Sequence, residues 1–360
     1  MNKQTAISAA RPTLLGMTPE ELSERCVQLG AKPFVGKQIA GWIYQRGART
    51  FDEMTNVSAS LRRQLAERYD VCGEPPARSQ RSADGTVKYL FPVSGGRYVE
   101  SVFIPDGERG TLCVSSQVGC KMGCTFCMTG RQGFEAQLSV AEILNQLHSL
   151  PERERLTNVV FMGQGEPMDN LDAVLRATEV LTAPWGWAWS PRRITVSTVG
   201  VRRGLERFLR ESECHLAVSL HSPFPAEREA LIPAQKAFTA ADIIALLETY
   251  PPFRRQRQAN DDSARQRRLS FEYTVFAGVN DTPRHARALV RLLSRLNCRV
   301  NLIRFHAIPG SPLRGATDAQ MTAFRDSLTH AGLFATIRDS RGEDILAACG
   351  LLNTAENVKQ

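Results

Sequence analysis

Three cysteines stand within eight residues, and their Cys-x3-Cys-x2-Cys spacing constrains this chain more than any other feature: Cys120, Cys124 and Cys127. Cysteine thiolates hold iron–sulfur clusters, and three ligands on a four-iron cluster leave one iron open to another molecule. Structural zinc needs four closed ligands, usually in paired Cys-x2-Cys units, and the sequence has no second pair. Gly119, Gly123 and Gly130 make the segment a loop. We therefore expect a four-iron cluster with chemistry at its open iron.

Composition bounds the class of protein. The 360 residues, 42% of them hydrophobic, suffice for one large domain or for a barrel with a small appended domain. The sequence has neither a run of about 18 apolar residues nor a charged-then-apolar leader, so we expect a cytoplasmic protein without a membrane span. Nine cysteines with one tight cluster indicate metal binding and reactive thiols. The net charge of +8 suits a polyanionic partner, although basic enzymes without one are common.

Residues 1–72 have the pattern of a small helical domain. Thr18 and Pro19 are typical of a helix start, because threonine caps the first backbone amides and proline fits the first turn. Apolar residues then recur every three or four positions as far as about Tyr69. Trp42 lies on the apolar face of this pattern, so we expect it in the core.

Residues 73–108 are predicted to form a linker with a β-hairpin, Val87–Val93 and Tyr98–Ile104. From residue 109 to residue 350 strands alternate with helices, which favours a parallel α/β arrangement. Six strands are predicted in this part: Leu112–Ser116, Asn158–Met162, Arg193–Thr198, His215–Leu220, Leu269–Phe276 and Val300–Phe305. Six units rather than eight predict a partial (β/α)6 barrel, open on one side, and residues 351–360 a tail.

The distinctive residues fall at the ends of these strands. The cysteine loop follows the first strand, Gly165 and Glu166 the second, and Ser197 ends the third. The triplet Ser219, Leu220 and His221 ends the fourth strand, and His306 follows the sixth. In parallel barrels the carboxyl ends of the strands form the active site. We therefore expect these residues to meet on one face.

Four longer segments carry a family resemblance. They are Thr-Leu-Cys113-Val-Ser-Ser-Gln-Val-Gly-Cys120, Met-Gly-Gln-Gly165-Glu166-Pro167, Ala-Val-Ser219-Leu220-His221 and Arg341-Gly-Glu-Asp-Ile-Leu-Ala-Ala-Cys349-Gly. With the cysteine spacing, they resemble the radical S-adenosylmethionine (SAM) enzymes and, among these, the RlmN/Cfr group of RNA adenine methyltransferases. The resemblance runs from about Lys32 to Gly350. It implies a radical SAM barrel and an RNA-binding role for the N-terminal domain, in which Trp42 could contact RNA instead.

The resemblance also implies roles for single residues. The three clustered cysteines would hold one 4Fe-4S cluster. SAM would contact Gly165, Glu166, Ser197, Ser219, Leu220, His221 and His306, the last standing where the family often has asparagine. Cys349 would carry a methyl group as S-methylcysteine. Cys113 would resolve the adduct through a transient disulfide with Cys349, and Glu100 would accept a proton.

The implied reaction is methylation of C2 of an adenosine. This carbon is electron-poor and does not attack a SAM methyl group directly, whereas a carbon radical can add to it. The implied substrates are 23S ribosomal RNA at the peptidyl transferase centre and adenosine 37 of transfer RNA, with two SAM molecules used in ping-pong order. A donor such as flavodoxin would supply electrons, and a monomer is expected. The alternatives are C8 methylation of the Cfr type and a non-enzymatic, metal-containing RNA-binding protein.

Other residues stay outside these motifs. The stretch Arg254–Arg268 holds six arginines and two aspartates and predicts a mobile loop, either solvated or in contact with phosphates. Four cysteines without a motif are interpreted as structural: Cys26, Cys72, Cys214 and Cys298.

Overall fold

A computed structural model describes residues 11–255 and 267–354. The first unit is helical: α1 (Pro19–Gln28), α2 (Phe34–Ala40), a π-helical turn (Gly41–Gln45) and α3 (Ala59–Arg68). Thr18 caps α1 by accepting from the Glu21 amide, while the Glu21 side chain accepts from the Thr18 amide. A β-bridge between Thr13 and Asp70 joins the two ends of this unit.

Trp42 packs against the core but is only half-buried, so the expected core position is met in part. Its indole Nε1 donates to Asn56 Oδ1 at 2.5 Å, and the guanidinium of Arg46 lies 4.2 Å from its ring centroid. The helical spacing identified the correct side of the helix. It could not show that this part of the apolar face meets solvent.

The described strands form one ten-stranded sheet and a separate pair. The large sheet has the order β1-β2-β3-β4-β7-β8-β9-β10-β11-β12, and β5 pairs with β6. The strands are β1 (Arg78–Arg81), β2 (Val87–Val93), β3 (Arg97–Asp106), β4 (Arg109–Cys113), β5 (Gln117–Gly119), β6 (Phe134–Gln137), β7 (Asn158–Phe161), β8 (Ile194–Thr198), β9 (His215–Ser219), β10 (Leu269–Val275), β11 (Arg299–Arg304) and β12 (Ala335–Ile337).

The direction of pairing divides the large sheet in two. Strands β1, β2, β3 and β4 pair with one another in antiparallel fashion. On its other edge β4 pairs in parallel with β7, and the pairs from β7 to β12 are also parallel. The hairpin and the mixed α/β class with a partial barrel are confirmed. Six parallel strands lie where they were predicted, although β4 begins and ends three residues earlier than the predicted Leu112–Ser116. Within the described residues β12 adds a seventh parallel strand that the sequence analysis missed. Three residues are too few to show a period.

Helices cover the parallel part of the sheet. They are α4 (Met128–Gln132), α5 (Val140–His148), α6 (Leu171–Thr182), α7 (Arg202–Glu211), α8 (Pro225–Leu231), α9 (Ala240–Thr249), α10 (Pro283–Leu293) and α11 (Asp318–His330). Each long helix buries one apolar side, and α5 contacts α6 as α10 contacts α11. Among the described residues, no helix is long and apolar enough to cross a membrane.

The arginine-rich stretch only partly meets its prediction, because residues 256–266 lie outside the described residues. Arg267 is buried rather than solvated, with 4% of its surface exposed. Its guanidinium donates to the carbonyl oxygens of Leu209, Cys214 and Phe208. It also stacks on aromatic rings, those of Phe208, Tyr250 and Phe253. The guanidinium thus fastens the start of β10 to the preceding helices.

Candidate active site

A cavity of about 410 Å³ opens at the carboxyl ends of the parallel strands. It brings together most of the residues singled out from the sequence: Cys113, Cys120, Cys124, Cys127, Gly165, Glu166, Ser197, Ser219, His221, His306 and Cys349. Glu100 and Leu220 are each 1% exposed and lie behind the cavity wall. Convergence on one face is what the strand-end positions predicted.

The cysteine loop lies between β5 and α4 and is fixed mainly by backbone contacts. The Cys120 amide donates to the Gly133 carbonyl at 2.9 Å, and the Thr125 amide donates to the Leu231 carbonyl at 3.0 Å. Gly119 has a φ of +69°, and a Cβ there would lie 1.8 Å from the Gly133 oxygen. Only glycine therefore fits the entry to the loop.

The chemistry of the three thiols suits a bound metal cluster. Burial raises the pKa of Cys120 to about 12 and that of Cys124 well above its usual value, and each further thiolate nearby raises them more. A bound cation would relieve this repulsion, because metal ligation favours the thiolate. Among the described residues no group of three or more His, Cys, Asp or Glu is arranged for one metal ion.

Glu166 lines the cavity and has both carboxylate oxygens engaged. Oε1 accepts from the Met168 amide at 3.0 Å, and Oε2 accepts from the Val199 amide at 2.9 Å. Burial raises the pKa of Glu166 to about 7, and these hydrogen bonds oppose the rise. Gly165, with a φ of +100°, lets the backbone pass close to Gln117 at this point. The carboxyl oxygens are thus held in a fixed orientation at the end of β7.

His221 adopts a left-handed conformation with a φ of +57°. Its Nδ1 accepts from the Thr274 amide at 2.8 Å, which puts the ring proton on Nε2. Burial lowers the pKa of His221 to about 3, so the ring is neutral at pH 7. The Leu220 amide donates to the Glu272 carbonyl, and its side chain is part of the core. Leu220 therefore contributes backbone structure to this turn.

His306 lines the cavity and links two segments of the chain. Its Nε2 lies 2.7 Å from Ser340 Oγ, and its Nδ1 lies 3.0 Å from Glu343 Oε1. Both partners belong to the loop that follows β12. The ring thus holds this loop, which leads to Cys349, against the end of β11.

Cys113 and Cys349 meet in the same cavity. Cys113 ends β4, and Cys349 is exposed towards the cavity while protein atoms surround it on most sides. Burial raises the pKa of Cys113 to about 12, with a further rise from Cys349, and burial raises the pKa of Cys349 to about 11. The Met128 amide donates to the Gly350 carbonyl at 2.8 Å, which ties the Cys349 segment to the cysteine loop.

Comparison with known proteins identifies the family. Residues 13–71 match the ribosomal RNA large subunit methyltransferase N-terminal domain, and residues 114–250 match the radical SAM superfamily. A protein of Bacteroides thetaiotaomicron, described as a probable dual-specificity RNA methyltransferase RlmN, is 57% identical over 95% of this chain and 96% of its own length. The chain belongs to the RlmN family.

Two further relatives agree with this assignment. The dual-specificity RNA methyltransferase RlmN of Marinobacter nauticus is 41% identical over 96% of this chain and 93% of its own length. The crystal structure of a radical SAM methyltransferase from Sphaerobacter thermophilus superposes with a TM-score of 0.87 at 36% identity. The superposition covers 95% of this chain and 99% of that one. The protein is thus a radical SAM RNA methyltransferase, and its superfamily implies SAM and an iron–sulfur cluster.

The sequence analysis missed an ion pair beside the two cysteines. Arg338 follows β12, and its Nη1 lies 3.4 Å from Glu272 Oε2 on β10. Both residues line the cavity, and the positive charge of Arg338 opposes the rise in the pKa of Cys113 and of Cys349. Glu272 is the one charged residue of the predicted strand Leu269–Phe276, and this was a signal that the sequence offered. Arg338 gave no such signal, because β12 was not predicted.

Glu100 has a charged partner that the sequence did not indicate. Lys88 Nζ lies 3.2 Å from Glu100 Oε1, and the Asn353 amide donates to Glu100 Oε2 at 2.8 Å. Glu100 shares a face of β3 with Val102 and Ile104, which line the cavity. Leu352, which precedes Asn353, is buried in an apolar cluster with Val102 and Ala347. Residues 351–354, at the start of the predicted tail, are therefore packed against the barrel.

Proposed function

We propose that this enzyme methylates C2 of an adenosine in 23S ribosomal RNA and of adenosine 37 in transfer RNA. The observation that carries the proposal is that the three-cysteine loop and the pair Cys113 and Cys349 line one cavity. A cluster that only carried electrons would need no second pair of thiols beside it. The relatives are described as dual-specificity RNA methyltransferases, which supports two kinds of RNA substrate.

The residues of the cavity would hold the iron–sulfur cluster and SAM. Cys120, Cys124 and Cys127 would ligate a 4Fe-4S cluster, which supplies the electron that cleaves SAM to a carbon radical. Glu166 and Gly165 would orient SAM, with further contacts to it from the other strand ends, at Ser197, Ser219, Leu220, His221 and His306. A donor such as flavodoxin would reduce the enzyme, which would act as a monomer.

The protein thiols would then carry the methyl group to RNA. Cys349 would accept it from one SAM as S-methylcysteine. The carbon radical formed from a second SAM would take one hydrogen atom from this methyl group, and the remaining carbon radical would add to adenine C2. Glu100 would accept the proton from C2, and the unpaired electron left on the ring would return to the oxidised cluster. The Cys113 thiolate would attack Cys349 Sγ, which breaks the bond from sulfur to the transferred carbon and leaves a disulfide. The released carbon would keep the electron pair of that bond and take up a proton from water, which completes the methyl group. This order of steps requires the two thiols to lie near each other, and Cys113 and Cys349 line the same cavity.

The test compares two substitutions that remove the same atom. Cys349→Ala removes the methyl acceptor, so no carbon reaches RNA although the cluster still forms. Cys113→Ala leaves addition to RNA intact but removes the resolving thiolate, so the protein accumulates joined to RNA through Cys349. Denaturing gels with and without nuclease, followed by mass spectrometry, distinguish the two variants. Normal turnover by Cys113→Ala, or the same behaviour in both variants, would refute the separate roles.

Mass spectrometry of RNA from the wild-type reaction decides the position. A product methylated at C2 supports the proposal. A product methylated at C8 of the ribosomal adenosine would assign the alternative Cfr-type specificity. A protein that binds RNA but shows no SAM cleavage and no visible absorbance after anaerobic reconstitution would be a non-enzymatic RNA-binding protein.

A further inference from the structure

Arg228, on α8, is the largest side chain in the described core with no exposed surface. A guanidinium stays charged in proteins, and an isolated charge in a low-dielectric interior is strongly unfavourable. Buried arginines are therefore normally paired with a carboxylate. The buried charge of Arg228 therefore requires an opposite charge nearby.

The described partners of Arg228 are all neutral. Nη1 donates to Gln235 Oε1 at 2.5 Å, and Nη2 donates to the carbonyl oxygens of Val199 at 2.7 Å and Ser219 at 3.0 Å. Within the described residues its Nε has no hydrogen-bond partner. The adjacent acid, Glu227, is directed away, towards Ser222 and His285.

The position of Arg228 indicates what the missing counter-charge is. Its two carbonyl partners lie at the ends of β8 and β9, on the rim of the cavity. The helix that carries Arg228 also contacts the cysteine loop, because the Thr125 amide donates to the Leu231 carbonyl at 3.0 Å and Thr125 Oγ1 donates to the Ala230 carbonyl at 3.3 Å. Cys124 packs in one apolar cluster with Leu231 and Ile232, at the end of this helix. Burial lowers the pKa of Arg228 to about 10, and the Cys124 thiolate opposes this change.

We propose that Arg228 is the buried counter-charge of an anionic iron–sulfur cluster held by Cys120, Cys124 and Cys127. Four irons ligated by three thiolates carry a net negative charge, which grows by one unit on reduction. A fixed cation behind Cys124 stabilises the reduced form more than the oxidised form and so raises the reduction potential, since net charge around a cluster sets its potential. The inference rests on the proposed cluster site and adds a positioning residue to it.

The guanidinium of Arg228 also has a structural effect, because it donates to two backbone carbonyl oxygens at once. By bonding Val199 and Ser219 together it fixes the spacing of two strand ends that are proposed to contact SAM. Charge and geometry can be separated by substitution. Lysine keeps the charge and loses the fork, glutamine loses the charge and keeps a donor, and methionine loses both.

The experiment measures the midpoint potential of the reconstituted holoenzyme by redox titration followed by electron paramagnetic resonance, together with iron content. Arg228→Gln and Arg228→Met should shift the midpoint to more negative values, with about a tenfold lower ratio of reduced to oxidised cluster at a fixed applied potential. Arg228→Lys should stay near wild type. If Arg228→Met does not fold, the glutamine variant carries the test.

Arg267→Met is the matched control, because Arg267 is another buried arginine that donates to backbone carbonyls. It should lower stability and leave the midpoint unchanged. An unchanged midpoint in both neutral variants, or an equal shift in Arg228→Lys and Arg228→Gln, would overturn the role of the charge. A wild-type protein that binds no cluster would instead refute the proposed site itself.

Discussion

Replacing Lys88 by methionine should destabilise the apo-protein by about 3–5 kcal/mol, the usual effect of breaking a buried ion pair from one side. Lys88 and Glu100 meet at 3.2 Å, with 6% and 1% of their side chains exposed. Methionine has a similar length and fills the space but carries no charge. The carboxylate of Glu100 would then stay in the interior and lose the attraction of the Lys88 ammonium group.

The magnitude follows from the geometry. Two unit charges 3.2 Å apart attract each other by about 5 kcal/mol at the effective dielectric constant of roughly 20 that fits protein sites. The other oxygen of Glu100 accepts the Asn353 amide at 2.8 Å. A neutral hydrogen bond contributes only about 0.5–1.5 kcal/mol net, so it cannot replace the lysine.

Equilibrium unfolding in urea measures the effect, with Lys236→Met as the control. Lys236 forms an ion pair with Glu229 at 3.5 Å, but the two side chains are 71% and 46% exposed. Exposed pairs contribute at most about 1 kcal/mol, so the control should change little. The double variant Lys88→Met/Glu100→Leu should recover part of the loss, because no charge stays buried. Equal, small effects of both lysine substitutions would refute the reasoning.

Two further predictions concern the cysteine loop and pH. Gly119→Ala should abolish most iron binding after reconstitution, because its Cβ would lie 1.8 Å from the Gly133 oxygen. The control Gly107→Ala should keep its iron, because its Cβ would meet open space. It should lower the free energy of unfolding by about 1–2 kcal/mol, because Gly107 has a φ of +56°. The free energy of unfolding, measured in urea at several pH values, should fall as the pH drops from about 6.5 towards 4. The reason is that burial holds three histidines neutral in the folded state, whereas they take up protons in the unfolded chain. Constant stability over this pH range would contradict the lowered pKa values of these histidines. These histidines, with folded pKa values of about 4, 4 and 3, are His148, His215 and His221.

The sequence predicted most of the barrel because each parallel strand carries a run of apolar residues followed by a polar motif. In β9, Leu216, Ala217 and Val218 follow one another directly before Ser219, and such an apolar run is visible without any structure. The same logic located the site, since strand ends in parallel sheets share one edge. The sequence pattern could not show which side chains of neighbouring strands contact each other. For this reason Lys88, the partner of Glu100, was missed.

Arg267 shows a different limit. An arginine within an arginine-rich run is usually solvated, and nothing local distinguishes it from its neighbours. Its burial depends on aromatic rings from separate elements, Phe208 on α7 and Tyr250 after α9, which the fold brings together. Arg228 is similar, because its partners Val199 and Ser219 come from two other strand ends. Buried cations are properties of tertiary structure and not of sequence windows.

The segment that carries Cys349 shows how a loop near one end of a sequence can hold a reactive group precisely. It has no regular secondary structure, so its own backbone supplies little rigidity. Instead it is bonded to α4, where the Met128 amide meets the Gly350 carbonyl and Thr129 Oγ1 donates to the Leu352 carbonyl at 2.8 Å. On its other side the Asn353 amide reaches Glu100 on β3. The segment is therefore fixed between the cysteine loop and the proposed proton acceptor, so a shift of either partner would also move the thiol that both must serve.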